Sequence, residues 1–204
     1  MKYKVIIATI LFLTVGIYNT FSQGSTNFKP EQIRAIKSSC DSISGPGGKV
    51  YFAWAGAKSI TRMKDDLSDF AEPIHEVVLS NPDLDPAHHS SRCPARGFND
   101  MGFEGAVLFK ANGKYYFGGA DDYQGRYSSC MAISDHIYGP YHDRHETVPC
   151  GGGTGFFVDK KGNWWCTYFG NDNQSPWREK PGLVKIDFAP DGKIVVAKKQ
   201  PFVN

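Results

Sequence analysis

The chain has 204 residues, 14% of them aromatic, with 22 glycines, five cysteines and a formal charge of +2 at neutral pH. It has neither a basic block nor an acidic tail, so nothing in its charge pattern points to nucleic acid or to an anionic membrane surface as a partner. No C-x-x-C pair occurs, which argues against a zinc ribbon.

The first segment reads as a secretory signal rather than as part of the fold. Lys2 and Lys4 form a short positive region, Val5 to Ile17 is apolar, and Thr20 and Ser22 suit cleavage after Ser22. The apolar run is shorter than the roughly 20 residues that span a bilayer; an uncleaved N-terminal anchor is the other reading. Removal of residues 1–22 leaves one domain, 23–204, with no formal charge and no membrane contact, in a secreted or periplasmic setting. An oxidising compartment predicts one or two disulfides among Cys40, Cys93, Cys130, Cys150 and Cys166, with the connectivity open.

Taken in chain order, Glu31 to Lys37 is a helix candidate, and the first strand signal follows the turn at Gly47-Gly48. The stretch Lys49-Val50-Tyr51-Phe52-Ala53-Trp54 predicts a strand, and Ser59 to Met63 a second. A turn is expected near Asp65-Asp66-Leu67. Ser80 to Asp100 is rich in Pro, His and Ser and has no strand pattern; a connection of that length is often functional. Val107-Leu108-Phe109 then leads into the Asn112-Gly113 turn and the strand from Lys114 to Gly119, and Tyr127 to Ala132 returns. The pattern recurs a third time, with Gly155 to Val158, the turn at Gly162, Asn163 to Tyr168 and Leu183 to Phe188. Asp191-Gly192 turns the chain into a last strand over Ile194 to Val196.

The turn glycines Gly48, Gly113 and Gly162 lie 65 and 49 residues apart. An aromatic hairpin recurring at that period is the sequence form of a β-propeller blade. A lone blade cannot cover both of its faces, so blades stack around an axis and bury each other. The predicted class is therefore all-β, a partial propeller of about three to four blades.

Several segments resemble glycoside hydrolase family 43, a family of five-bladed propellers. Glu104-Gly105-Ala106-Val107-Leu108-Phe109 followed by Asn112-Gly113-Lys114-Tyr115-Tyr116-Phe117 is similar to that family's acid-bearing blade. Ala132-Ile133-Ser134 with Gly139-Pro140-Tyr141 resembles its blade ending, Gly152 to Tyr168 its next blade, and Gly47 to Pro73 the blade before. The resemblance runs from about Cys40 to the C-terminus. It implies an inverting glycosidase acting on O-glycosidic bonds of plant or algal polysaccharide fragments, with an oligo- or polysaccharide as partner.

Such an enzyme uses a Glu to protonate the leaving oxygen, one Asp to activate water and a second Asp to tune the acid. Inversion leaves room for that water, with acid and base about 6.5–9.5 Å apart. Glu104 matches the acid, and burial against apolar neighbours is expected to raise its pKa. Read from its spacing alone, Glu104 is better taken as a solvated strand-end residue, and it is the resemblance that favours the acid. Asp41 is the nearest match to the tuning Asp, although Gly45-Pro46-Gly47-Gly48 replaces the usual Asp-rich turn, and a capping role is its other reading. No segment matches the blade that would bring the base. A carbohydrate-binding propeller or fragment without that base is therefore the alternative function.

Arg178 and Trp177, before the last hairpin, and Tyr123 are the candidates for substrate contact. Arg offers a planar fork of donors for hydroxyls or a uronate, and the rings offer a face for a pyranose. Their structural alternatives are a rim ion pair with Glu179 or Asp172 and packing within a blade. No cofactor is expected. The resemblance allows a structural calcium, but Cys150 to Gly155 lacks the His that the family often carries there, and no metal ligand is assigned. His88 and His89 are expected to be a solvated loop pair, with adventitious metal binding as the alternative; family 117, a related propeller family, uses a His upstream of its Glu, but at a different spacing.

Overall fold

A computed structural model describes residues 48–54, 59–90, 98–99, 101–170 and 180–201. The predicted signal, the helix candidate, Asp41, Cys40, Cys93, Trp177 and Arg178 lie outside the described residues. Eleven strands are described: β1 (Tyr51–Trp54), β2 (Ser59–Arg62), β3 (His75–Glu76), β4 (Glu104–Ala111), β5 (Lys114–Tyr123), β6 (Arg126–Ser134), β7 (His142–Val148), β8 (Gly152–Val158), β9 (Trp164–Phe169), β10 (Pro181–Phe188) and β11 (Ile194–Val196). They form three antiparallel sheets in simple meander order: β1-β2-β3, β4-β5-β6-β7 and β8-β9-β10-β11.

Each predicted aromatic hairpin is an antiparallel pair. β1 pairs with β2, β5 with β6 and β9 with β10. In the second and third sheets these are the two central strands, flanked by β4 and β7 and by β8 and β11. Asn112 and Gly113 both take positive φ, 49° and 81°, as a type I′ turn requires. That turn has the twist of the strands it joins, so the register runs from Ala111 against Lys114 back to Val107 against Gly118. The expected turn at Asp65 to Leu67 is present, with Ser68 capping onto Asp66 through its N–H and hydroxyl, 3.0 and 2.7 Å.

The sheets stack face to face, and the middle one is buried on both sides. On one face Val107, Phe109, Tyr116, Met131 and Ile133 pack against Phe156, Cys166, Ile186 and Ile194 of the third sheet. On the other, Leu108, Tyr115, Phe117 and Ala132 pack against Ile60, Val77 and Leu79. The strict alternation along β4, β5 and β6 follows from the two-residue period of a strand. Covering on both faces explains why β5 and β6 are buried along almost their whole length. Phe109 stacks on Phe156 at 4.8 Å and on Tyr116 at 5.1 Å, and the Tyr116 hydroxyl donates to Gly192 O across the layer, 2.8 Å. This blade-on-blade stacking is the arrangement that the repeat predicted, in three sheets.

Cys130 and Cys166 are free thiols. Both are buried in the layers, where burial pushes the Cys130 thiol up to about 12. Cys40 and Cys93, which the disulfide expectation also includes, lie outside the described residues.

Candidate functional site

One end of the sheets gathers the polar candidates. It comprises the start of β4, the β5–β6 turn, the end of β7, the start of β8, and the junction where β9 stops at Phe169 and β10 starts at Pro181. Glu104 is the first residue of β4 and pairs with Ala120; the register then shifts before Val107. The irregularity sits at Gly105, whose φ of +65° is costly for a residue with a Cβ. It sets the direction of Glu104 separately from the regular alternation of the rest of β4.

Glu104 is exposed, not buried among apolar side chains as the sequence suggested. Its strand alternation ends at the bulge, so the apolar period of Val107 and Phe109 does not extend to it. The expected desolvation is accordingly not what surrounds this carboxylate; a hydroxyl is. Tyr127 Oη donates to Glu104 Oε1. Tyr127 itself is nearly buried, 7% exposed, and is held on both sides. The Phe103 ring lies 6.0 Å away, and the backbone of Gly152 comes so close that a Cβ there would stand 2.3 Å from the Tyr127 ring. The acid candidate of the second sheet is thus oriented by a tyrosine wedged against the third sheet. Tyr127 was legible as a strand residue but not as a site residue. The signal that could have found it is the pairing of an aromatic on β6 with a glycine run, Gly151-Gly152-Gly153, on the next blade.

Beside Tyr127, Arg126 makes a two-point ion pair with Glu146, 2.8 and 2.6 Å, and Ser128 Oγ donates to the same carboxylate at 2.6 Å. Ser129 and Thr154 hydroxyls meet at 3.1 Å across the seam between the sheets.

The His88–His89 segment is docked, not solvated. Asp85 caps a short 3-10 turn, Pro86–His88. His88 Nδ1 lies 2.6 Å from Asp83 Oδ2, and His89 Nε2 donates to Asp83 O at 2.6 Å. The segment is pinned to the β5–β6 turn, with Gln124 N–H donating to Ala87 O at 2.6 Å and Arg144 Nη1 to His88 O at 3.0 Å. Beneath it, Arg144 Nη2 donates to Asp121 Oδ2 at 2.6 Å, with both side chains essentially inaccessible. Burial pushes the Asp121 carboxyl up from its ordinary range, and the Arg144 guanidinium pulls the other way. Ser90 N–H and Asp122 N–H also donate to Asp121 Oδ1, at 3.0 and 2.8 Å.

The same docking decides where Tyr123 stands. The His88 ring stacks on it at 4.1 Å and 9°, so one face of the proposed sugar platform is taken by protein. Trp177 and Arg178 lie outside the described residues; their connection leaves and re-enters at the Glu104 end, where Gly170 N–H donates to Lys180 O at 3.1 Å. Where the resemblance would allow a calcium, Cys150 to Gly155 supplies backbone, a thiol and the Thr154 hydroxyl, and no histidine. Among the described residues no three His, Cys, Asp or Glu side chains come together as a ligand set.

No protein-family model and no curated protein matches the sequence. Solved structures do match in fold. An exo-1,5-α-L-arabinanase from a bovine ruminal metagenomic library superposes with a TM-score of 0.57 at 16% identity, over 76% of this chain and 54% of that one. A GH43 β-xylosidase/α-arabinofuranosidase from a compost microbial metagenome gives 0.53 at 19% identity, over 79% and 57%. A xylan β-1,4-xylosidase from Bacillus halodurans gives 0.51 at 15%, over 76% and 32%. The chain spans from about a third to just over half the length of these structures. The three stacked sheets therefore share the β-propeller fold of these structures, one of which is of glycoside hydrolase family 43.

Proposed function

We propose that the chain is a secreted or periplasmic glycoside hydrolase acting on plant or algal polysaccharide fragments by inversion, with Glu104 as general acid. The observation that carries this reading is Glu104 itself. It stands at the loop-bearing end of the sheets, oriented by the Tyr127 hydroxyl, in a fold shared with an arabinanase and two xylosidases. In the proposed step the Glu104 carboxylic acid gives its proton to the glycosidic oxygen, and water attacks the anomeric carbon from the opposite face. The bond to the leaving sugar breaks, and the water's proton passes to a base about 6.5–9.5 Å from the acid. Tyr127, as a donor to one carboxylate oxygen, leaves the other to face the substrate. Asp41 is proposed to tune the acid, Arg178, Trp177 and Tyr123 to hold the sugar, and no step uses a cofactor.

A second reading, a carbohydrate-binding propeller without turnover, is favoured by the exposure of Glu104 and by its partner being a neutral hydroxyl. One experiment separates the two. Purified protein is incubated with arabino- and xylo-oligosaccharides, and the anomeric configuration of the product is followed by proton NMR. Turnover with inversion, reduced about 10²–10⁴-fold in Glu104→Gln with little change in binding, supports the enzyme. Binding without turnover supports the second reading, and turnover that Glu104→Gln leaves intact overturns the assignment of the acid.

A further inference from the structure

Strand alternation turns Cys166 and Tyr168 of β9 toward the middle sheet and Thr167 and Phe169 away from it. Tyr168 is the last rung but one of β9, opposite Gly182 of β10, at the end of the sheets that carries Glu104. Its ring lies on two glycines. A Cβ on Gly151 would stand 2.5 Å from Tyr168 Cδ2, and one on Gly182 would stand 2.5 Å from the Tyr168 hydroxyl oxygen. The residue after Gly151 is Gly152, which seats the Tyr127 ring in the same way. Two tyrosines thus share the top of the layer between the second and third sheets, resting on neighbouring residues of one glycine run.

Their hydroxyls differ. Tyr127 gives its proton to a bond with Glu104. The Tyr168 hydroxyl bonds to no protein group among the described residues. Tyr168 is half-buried, and its oxygen is not sealed from solvent, since the enclosed side-chain atoms without a partner are His89 Nδ1 and Arg144 Nε. Tyrosines elsewhere in the fold are partnered. Tyr115 accepts from Lys110 Nζ, Tyr116 donates to Gly192 O, Tyr141 to Ile137 O and Tyr138 to Glu72, and Tyr51 meets Tyr138. Tyr123 and Tyr168 are the exceptions among the described residues, and both stand at the Glu104 end. The His88 ring already covers a face of Tyr123. The glycine seat of Tyr168 needs only a ring, which phenylalanine would supply equally. Its hydroxyl is what packing leaves unexplained, because a buried tyrosine hydroxyl usually has a partner.

The placement limits what that partner can be. β4 and β8 touch at Gly105 and Gly153, where a Cβ on Gly105 would come to 3.7 Å from Gly153 Cα. The Tyr168 hydroxyl stands over β10, two strand spacings from β8, or about 10 Å. A molecule that reaches both Glu104 and Tyr168 therefore spans more than one sugar ring. We propose that Tyr168 is a substrate-contact residue of the Glu104 site, its hydroxyl exchanging a hydrogen bond with a hydroxyl of a sugar beyond the two that flank the cleaved bond. This rests on the reading of Glu104 as a glycosidase acid. It adds a substrate class to that reading, neutral oligosaccharides of three or more residues.

The test compares Tyr168→Phe with the unaltered chain on two sets of substrates. Nitrophenyl β-xyloside and nitrophenyl α-arabinofuranoside carry one sugar; xylotriose and arabinotriose carry three. Tyr168→Phe is expected to raise KM about three- to tenfold for the trisaccharide that is turned over, with kcat nearly unchanged, and to leave the one-sugar substrates unaffected. An unchanged KM for the trisaccharides overturns the proposal. So does an equal loss on both sets, or a loss confined to kcat, since either gives the hydroxyl a role other than holding a distant sugar. Calorimetry with the two trisaccharides keeps this proposal apart from the reading it rests on. If Glu104→Gln binds a trisaccharide and the double variant Glu104→Gln/Tyr168→Phe binds it as tightly, the Tyr168 contact fails while the Glu104 site stands. If neither trisaccharide is bound or turned over by the unaltered chain, the glycosidase reading fails and the Tyr168 contact with it.

Discussion

At the scale of single residues, the most consequential group after Glu104 is one that makes no use of exposure at all. Arg144 reaches through the second sheet to Asp121 and to His88 O, so one guanidinium joins β7, β5 and the 81–90 segment. A charge buried to this degree is tolerated only because its partner and the surrounding donors are in place. Arg144→Met strands the Asp121 carboxylate, and the expected loss of stability is about 3–5 kcal/mol by chemical denaturation. The 81–90 segment should loosen at the same time, and this is checked by faster amide exchange at Ser90, whose N–H is bonded to Asp121. The docking itself was not legible in the sequence. His88-His89 between Pro and Ser residues has the composition of a solvated loop, and the partners that remove it from water lie some 30 to 60 positions away.

At the scale of elements, the site depends on how closely β8 approaches β6. Gly152 leaves no space for a methyl group against the Tyr127 ring. Gly152→Ala should therefore push the ring away and withdraw the hydroxyl from Glu104, without altering the proposed acid itself. The expected outcome is a loss of turnover approaching that of Tyr127→Phe, measured as kcat with KM nearly unchanged, and accompanied by a stability loss of about 1–3 kcal/mol from overpacking. A stability loss with full turnover would show that the tyrosine contact is not used. The hairpins at this scale were readable beforehand because each rests on local rules. Asn112-Gly113 specifies its turn, and the alternation of Val107, Phe109 and Tyr116 with Leu108, Tyr115 and Phe117 specifies two covered faces. The bulge at Gly105 was not readable, since a glycine after a glutamate is compatible with regular pairing, and only the approach of the neighbouring strand selects the shift.

At the scale of the whole molecule, stability rests on the layers between sheets, and a buried histidine bridges the larger of them. His145 on β7 accepts from Ile194 N–H on β11 through Nε2, 2.9 Å, and donates from Nδ1 to Asp143 O, 2.7 Å. It is neutral in the fold, and burial lowers its pKa to about 4 from an ordinary 6.5. A folded pKa below the unfolded one means that the unfolded chain takes up the proton first. The stabilisation is therefore intact above pH 6.5, falls as the pH drops from 6.5 towards 4, and amounts to about 3 kcal/mol across that window. A melting temperature that declines over this range, and declines less in His145→Gln, is the expected result. A pH-independent melting temperature between 6.5 and 4 would show that His145 does not govern it.

The sequence by itself determined the class and the order of the blades, because hairpin turns and two-residue apolar periods act over a few neighbours and survive without tertiary context. It also placed Glu104 at the start of a strand, ahead of the second aromatic hairpin. Tertiary structure alone decided what surrounds that carboxylate. The Tyr127 hydroxyl, the glycine seam that admits it, the Arg144–Asp121 pair and the His88 ring drawn onto Tyr123 all join segments distant in the chain. Which polar groups meet there is set by the twist and stacking of whole sheets, which no local pattern encodes.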